Sequence, residues 1–478
     1  MNHRLVINTL GKTILLFAIA LLLPLFVDIY YREGNINSFL YPIYGLLIIG
    51  LSLSLVKPKE KAFYAKEGFV IVALAWILLS LIGAVPFCIS GTIPNFVDAV
   101  FETASGFSTT GATILTNIEA IPKSMMFWRA LTHFIGGMGV LVFVLAILPS
   151  SSDGAMHVFR AEAPGPSVGK LVSKIKFTAR ILYLIYIIMT LVEMIMLLFG
   201  GMSLFDSVCH AMSTAGTGGF SNKNASIGAY NSLYIEMVIA VFMFLFGINF
   251  NIYYLVLIGK IKKIFKSEEF KIYLIILFIA IITIAINLIQ QVGTFWNGLR
   301  YSFFQVASIS STTGFLTSEI NVWPEYSKSV LLFLTICGAC AGSTGGGIKI
   351  ARLGILAKST SAGITKTIRP RAVVYKKFDG ELLTTEKVKN VRLYLCLWLA
   401  IIIVSTLILG LDKGGDLFTN ISASITCISN VGPGFNKIAS DFTCYSSVSK
   451  IVLAIDMLMG RLEIFPIIVL FAPSTWRK

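Results

Sequence analysis

Apolar residues in this chain come in long unbroken runs rather than in amphipathic stripes. The runs include 13–31, 69–88, 179–200, 233–259, 272–291 and 391–411. Each is long enough to cross a bilayer core of about 30 Å, which takes ~20 helical residues. Between them lie stretches too long and apolar for a loop, yet too short for two spans. Four of these align without a gap: DAVFETASGFSTTG (98–111), DSVCHAMSTAGTGG (206–219), YSFFQVASISSTTG (301–314) and TNISASITCISNVG (419–432). Ser105, Ser213, Ser308 and Thr426 stand six residues before the closing glycine, and Thr109, Thr217, Thr312 and Asn430 stand two before it.

A pattern repeated four times predicts one structural unit used four times: helix, half-helix, extended polar segment, helix. A half-helix of about ten residues cannot cross the hydrocarbon, so it re-enters from one side and turns back. The irregular backbone that follows must be buried in protein or line an aqueous cavity. Gly111, Gly219, Gly314 and Gly432 permit backbone angles with φ > 0, so successive carbonyls can face a common axis. Four such segments give rings of carbonyl oxygens of the kind that replaces potassium's hydration shell. Half-helix C-termini pointing inward also favour a cation. The candidate selectivity filter is therefore Thr109, Thr110 and Gly111; Thr217, Gly218 and Gly219; Thr312, Thr313 and Gly314; and Asn430, Val431 and Gly432. Their backbone carbonyls would hold K⁺. The alternative is four packing loops with helix-capping glycines.

The expected fold is an all-α polytopic membrane protein, with two extra N-terminal helices and four helix–pore-loop–helix repeats around a pseudo-fourfold pore. Its parts are an extension and basic loop at 1–66, repeat one at 67–150, repeat two at 151–266, repeat three with a broken second helix and basic loop at 267–385, and repeat four at 386–478.

Composition agrees. Only 13% of residues are charged, against about 25% in soluble domains, and the mean hydropathy is +0.82. The net charge of +15 is not a nucleic-acid footprint, because the cations crowd into alternate connections. One cluster is Lys57, Lys59, Lys61 and Lys66; another is Arg160, Lys170, Lys174 and Lys176; a third is Lys260, Lys262, Lys263, Lys266 and Lys271. The largest runs from Lys349 through Arg369, Arg371, Lys376 and Lys377 to Arg392. Acids fill the connections between: Asp98, Glu102, Glu119, Asp206, Glu319, Glu325, Asp412, Asp416 and Asp441. The positive-inside rule then places both termini in the cytoplasm. The first apolar run reads as a retained helix, since no small-residue cleavage site closes it. Scattered cysteines give no disulfide framework. His3, His133, His157 and His210 are dispersed, so no metal site, organic cofactor or catalytic group is expected.

The stretch GACAGSTGGGIKIARLG (338–354) poses a choice between a phosphate cradle and a broken membrane helix. A P-loop ends in Gly-Lys-Ser/Thr, whereas here Gly347 precedes Ile348, Lys349 and Ile350, and the upstream residues are membrane-like. The glycines therefore break the second helix of repeat three beneath the filter. Gly342, Ser343, Thr344, Gly345, Gly346 and Gly347 become a candidate intramembrane gate. Arg461 reads as mid-span in LAIDMLMGRLEIFPIIVL (453–470), where a cation costs roughly 2.5–3.5 kcal/mol. It either faces the pore below the filter as an electrostatic brake or pairs with Glu463 or Asp456. Glu193, also within a span, has no evident role.

The segments FSTTGAT (107–113), STAGTGGFSN (213–222), SSTTGFLT (310–317) and SNVGPGF (429–435) resemble the filters of the Trk/Ktr/HKT superfamily of potassium transporters. ALTHFIGGMGVLV (130–142) and MLMGRLEIFP (457–466) are similar to its second helices in repeats one and four. Extra helices near 11–31 and 37–56 bring the chain closest to the bacterial Trk type. The resemblance implies a K⁺ uptake protein of the bacterial cytoplasmic membrane. It also implies a homodimer and cytosolic nucleotide-binding regulatory subunits of the RCK/KTN, TrkA-like type, with membrane lipids as further partners. The alternatives are the translocation subunit of a potassium-pumping ATPase and a Na⁺- or H⁺-coupled symporter.

Overall fold

The computed structural model describes residues 1–58, 65–139, 175–371 and 376–476. Lys59, Lys61, Arg160, Lys170, Lys174, His157 and the 150/151 boundary of repeats one and two lie outside them. Apart from one antiparallel pair of two-residue strands, Lys377–Phe378 and Glu381–Leu382, the regular structure described is helical. Helices long and apolar enough to span a membrane are His3–Tyr31, Ile36–Ser54, Lys66–Ile89, Arg180–Phe199, Glu268–Val292 and Thr385–Leu409. The chain is an all-α polytopic membrane protein.

The two N-terminal helices pack on each other and on the first helix of repeat one. Gly11 makes this close contact possible: a Cβ there would fall 2.6 Å from the Ser54 nitrogen. Small residues let membrane helices approach in this way where no hydrophobic force drives them together.

The half-helices are Phe96–Phe107, Leu204–Gly216, Phe295–Ser310 and Leu417–Ser429. Their 12 to 16 residues at ~1.5 Å each fall short of the hydrocarbon thickness. Each starts on a side-chain cap, from Asn95, Ser203, Thr294 and Asp416, that accepts a first-turn N–H. These short polar residues satisfy donors the helix itself cannot.

The second helices depart from expectation. The apolar run 233–259 is not one straight helix: Leu233–Phe246 and Phe250–Leu257 meet at 89°. Backbone groups freed at this bend pair with the glycine stretch of repeat three, Cys340 N–H donating to Gly247 O (3.1 Å) and Phe250 N–H to Gly342 O (2.9 Å). Asn249 caps the new helix through its side chain. In repeat four, Ser447–Arg461 ends where Glu463 and Ile464 take φ of 56° and 69°, and Phe465–Phe471 follows. Arg461 is thus the end of a helix and not the middle of a span. Repeat three breaks between Glu325–Cys337 and Ile350–Ile368, and the helix Lys123–Gly137 of repeat one ends at Gly137. An interruption expected once occurs in repeats two, three and four.

Candidate functional site

All four half-helices close with the same turn. Thr109 N–H donates to Gly106 O and Thr110 N–H to Ser105 O, at 3.1 and 2.9 Å. The equivalents are Thr217 to Thr214 with Gly218 to Ser213, Thr312 to Ile309 with Thr313 to Ser308, and Asn430 to Cys427 with Val431 to Thr426. This paired closure needs a left-handed residue after the cap, and Thr109, Thr217, Thr312 and Asn430 have φ of 57°, 55°, 61° and 55°. Threonine is β-branched and resists that region, at a cost of about 1–3 kcal/mol that only over-determined surroundings sustain.

The next residue but one is glycine, again left-handed, with φ of 81°, 78°, 86° and 96° at Gly111, Gly219, Gly314 and Gly432. These glycines form the seams between repeats. A Cβ on Gly111 would lie 1.9 Å from the Gly218 carbonyl oxygen, and one on Gly219 2.0 Å from that of Thr313. One on Gly314 would lie 2.1 Å from Val431 O, and one on Gly432 2.4 Å from Thr110 O. The contacts run from repeat one to two, two to three, three to four and four back to one. The ring closes within a single chain.

A second ring of bonds ties the outer loops in the same order. Ile118 N–H donates to Asn224 Oδ1 (2.7 Å) and Gly228 N–H to Leu316 O (3.2 Å). Asn436 N–H donates to Asn321 Oδ1 (2.9 Å) and Phe442 N–H to Thr113 O (2.9 Å). Above the ring opens a vestibule of about 580 Å³, lined by all four filter glycines.

Beneath the ring lies the non-helical segment 338–349. Gly346 N–H donates to Thr312 Oγ1 at 2.7 Å. Gly345 packs on Ser311 O, and Gly346 on Ser429 O and Asn430. Ser343 Oγ donates to Cys340 O (2.6 Å), Thr344 Oγ1 to Phe246 O (3.3 Å), and the buried Lys349 Nζ to Gly345 O. Gly342 and Gly347 hold φ of 75° and 78°. Arg461 reaches the segment from repeat four, donating to Thr344 O at 2.5 Å, and extends to Gly136 O and to Gly137 O (2.5 Å) of repeat one. Segment and arginine together cross from repeats three and four to repeat one. Of the two carboxylates considered as partners of Arg461, Glu463 pairs with Arg352 at 2.5 Å.

All twelve candidate filter residues, the six of the glycine segment and Arg461 are therefore gathered at one place. Several neighbours escaped the sequence reading. Glu102, counted among the acids of an outward connection, is buried and paired with buried Arg129 at 2.8 Å. The side chain of Asn430, a position singled out for its backbone alone, bridges repeats four and one, its Nδ2 donating to Thr110 Oγ1 (3.0 Å) and Met457 O (2.8 Å). Glu269 Oε1 accepts from both ends of the glycine segment, from Ala341 N–H (2.6 Å) and Ala351 N–H (3.2 Å). Lys349, taken as the start of the largest basic cluster, is buried, and so is Arg352. A signal for Glu102 and Arg129 existed: single opposite charges in apolar half-membrane segments of one unit. Cys337 and Cys340 are both buried and free, as packing residues should be.

Comparison with known proteins places the chain in a family. Residues 37–478 match the TrkH family model, described as a cation transport protein. The chain is 35% identical to the Trk system potassium uptake protein TrkH of Escherichia coli K12, over 100% of both chains. It is 32% identical to TrkG of the same organism over 99% of both. The crystal structure of the potassium transporter TrkH from Vibrio parahaemolyticus superposes with a TM-score of 0.90 at 31% identity, over 100% of both chains. These are transporters and not enzymes. The chain belongs to the TrkH family of cation transport proteins.

Proposed function

We propose that this chain conducts potassium into a bacterial cell across the cytoplasmic membrane, through the ring formed by Thr109–Gly111, Thr217–Gly219, Thr312–Gly314 and Asn430–Gly432. The closed cycle of glycine–carbonyl contacts carries the reading. Alternating left-handed residues in each segment turn successive carbonyls to one side, and four such segments on one axis offer a dehydrated K⁺ its oxygens. A potential of about 100 mV supplies ~2.3 kcal/mol per charge, roughly fiftyfold accumulation at equilibrium, so no second ion is required. Segment 342–347 and Arg461 form the gate, supported by their place directly under Thr312, Ser429 and Asn430. Assembly as a homodimer with a cytosolic nucleotide-binding regulator rests on the family resemblance. Exposed Arg369, Arg371 and Lys377 offer that regulator a basic surface.

Uptake of K⁺, Rb⁺ and Na⁺ into proteoliposomes, by wild type and Gly314→Ser, tests the proposal. A side chain at Gly314 meets Val431 O and disfavoured φ, so the variant should pass less K⁺ and relatively more Na⁺. An unchanged ion ratio in folded protein would remove the filter assignment.

A further inference from the structure

Beyond transport, the structure holds a second polar cavity, of about 500 Å³, on the side of the chain where the basic connections lie. Three elements wall it: the helix Ile350–Ile368, the short strand pair, and the first turns of Thr385–Leu409. Lys366, Lys376, Lys389 and Arg392 line it together with Ser359 and Thr385, and no carboxylate is among the lining residues. Arg392 Nη2 and Lys376 Nζ both donate to Ser359 Oγ, at 2.9 and 3.3 Å, and that serine is 1% exposed. Two cations therefore converge on one neutral oxygen, leaving most of their donors unspent.

Neighbouring lysines behave differently. Lys358 is paired with Glu268, and Lys387 with Glu381. None of the four cavity cations has a carboxylate within ion-pair distance among the described residues. Lys366, Lys389 and Arg392 are exposed and Lys376 is half-buried, so solvent screens their repulsion, and an anion entering the cavity meets positive charge from several sides. Thr385 opens a 25-residue helix capped by Thr384. The apolar stretch of this helix begins directly after Arg392, with Leu393, so the cavity sits at headgroup level. Leu382, Leu383 and Val388 give it an apolar wall.

We propose that this cavity binds a phosphate-type anion, supplied by the headgroup of an anionic phospholipid. Basic pockets between membrane helices recognise such headgroups by charge and by forked arginine contacts. Ser359 lies nine residues beyond Ile350, where the helix leaving the glycine segment begins. A bound headgroup would fasten that helix to the Thr385–Leu409 span.

The test is a titration of the purified full chain in neutral detergent, read as the shift in thermal unfolding. Dioctanoyl phosphatidylglycerol, dioctanoyl phosphatidylcholine and inorganic phosphate are the three probes. Phosphatidylglycerol should saturate and phosphatidylcholine should not. Lys389→Gln/Arg392→Gln should weaken the phosphatidylglycerol response by roughly fivefold per cation removed. Lys260→Gln/Lys263→Gln, which removes equal charge from exposed residues elsewhere, should leave it within about twofold. Saturation by inorganic phosphate alone, abolished by the first variant only, would keep the anion site and assign it to a soluble source. Equal weakening in both variants, or an equal response to phosphatidylcholine, would overturn the proposal.

Discussion

Repeats one and two hold the segment that follows the half-helix turn in one way, and repeats three and four in another. In the first pair, the half-helix residue nine before the glycine reaches the hydroxyl two after it. Glu102 accepts from Thr113 Oγ1 at 3.0 Å, and His210 Nε2 meets Ser221 Oγ at 2.9 Å. Arg129 joins this group, bonded to Glu102, to Thr113 and to Ser221 O, with its guanidinium 4.1 Å from the Phe220 ring. In the second pair the same positions carry Gln305 and Ala423 against Leu316 and Gly434, which cannot make that bond. The hydroxyl six before the glycine takes over. Ser308 Oγ donates to Phe315 O (2.7 Å) and Thr426 Oγ1 to Pro433 O (3.1 Å). Ser105 and Ser213, their equivalents in the first pair, have hydroxyls with no partner among the described residues. The main chain is fourfold, while its side-chain support is an ionic cage on one half and neutral hydroxyls on the other. The half braced by hydroxyls is also the half beneath which the glycine segment lies.

This contrast can be broken from either side. The largest effect should come from Glu102→Gln, which leaves Arg129 buried without its charge partner. Breaking such a pair costs about 3–5 kcal/mol, so the unfolding midpoint of the purified protein should fall sharply. Glu102→Gln/Arg129→Met should recover much of the loss, and a single variant as stable as wild type would show the cage to be idle. Next comes the region under the filter. Arg461→Ala removes the bonds to Thr344, Gly136 and Gly137, together with a positive charge near the path. Maximal Rb⁺ uptake should rise severalfold with ion preference retained, and deletion of 343–347 should do the same. Unchanged uptake in either folded variant would leave the segment a packing element. The smallest effect belongs to Ser308→Ala, the loss of one neutral hydrogen bond worth roughly 1 kcal/mol. Ser213→Ala, at the equivalent position in repeat two, should change stability less, because its hydroxyl makes no such bond.

What the sequence made legible follows from what each signal measures. The four half-helix turns could be read because the turn that closes a half-helix is local, and its left-handed and glycine positions recur at fixed spacing. The bend at Gly247–Asn249 and the interruption at Leu462–Ile464 were hidden in apolar runs. Hydropathy reports transfer into lipid and is blind to whether the backbone stays helical. The bend is stabilised by Cys340 and Gly342, about ninety residues away in sequence, a distance no periodicity can bridge. Glu102 and Lys349 misled for a related reason: charge counting assigns a residue to a loop, whereas Glu102 is folded inward onto Arg129 of another helix and Lys349 onto Gly345 of its own segment.

One consequence follows from the glycine segment occurring once. In a pore assembled from four identical chains, any element that reaches the axis arrives four times over and must leave room for its copies. Joining the four units in one polypeptide removes that constraint. In this chain the segment 338–349 belongs to repeat three alone, and it packs against Thr312 of its own repeat and against Ser429 and Asn430 of repeat four. A chain of four joined units thus lets one of them carry a segment near the axis without a copy in each of the others.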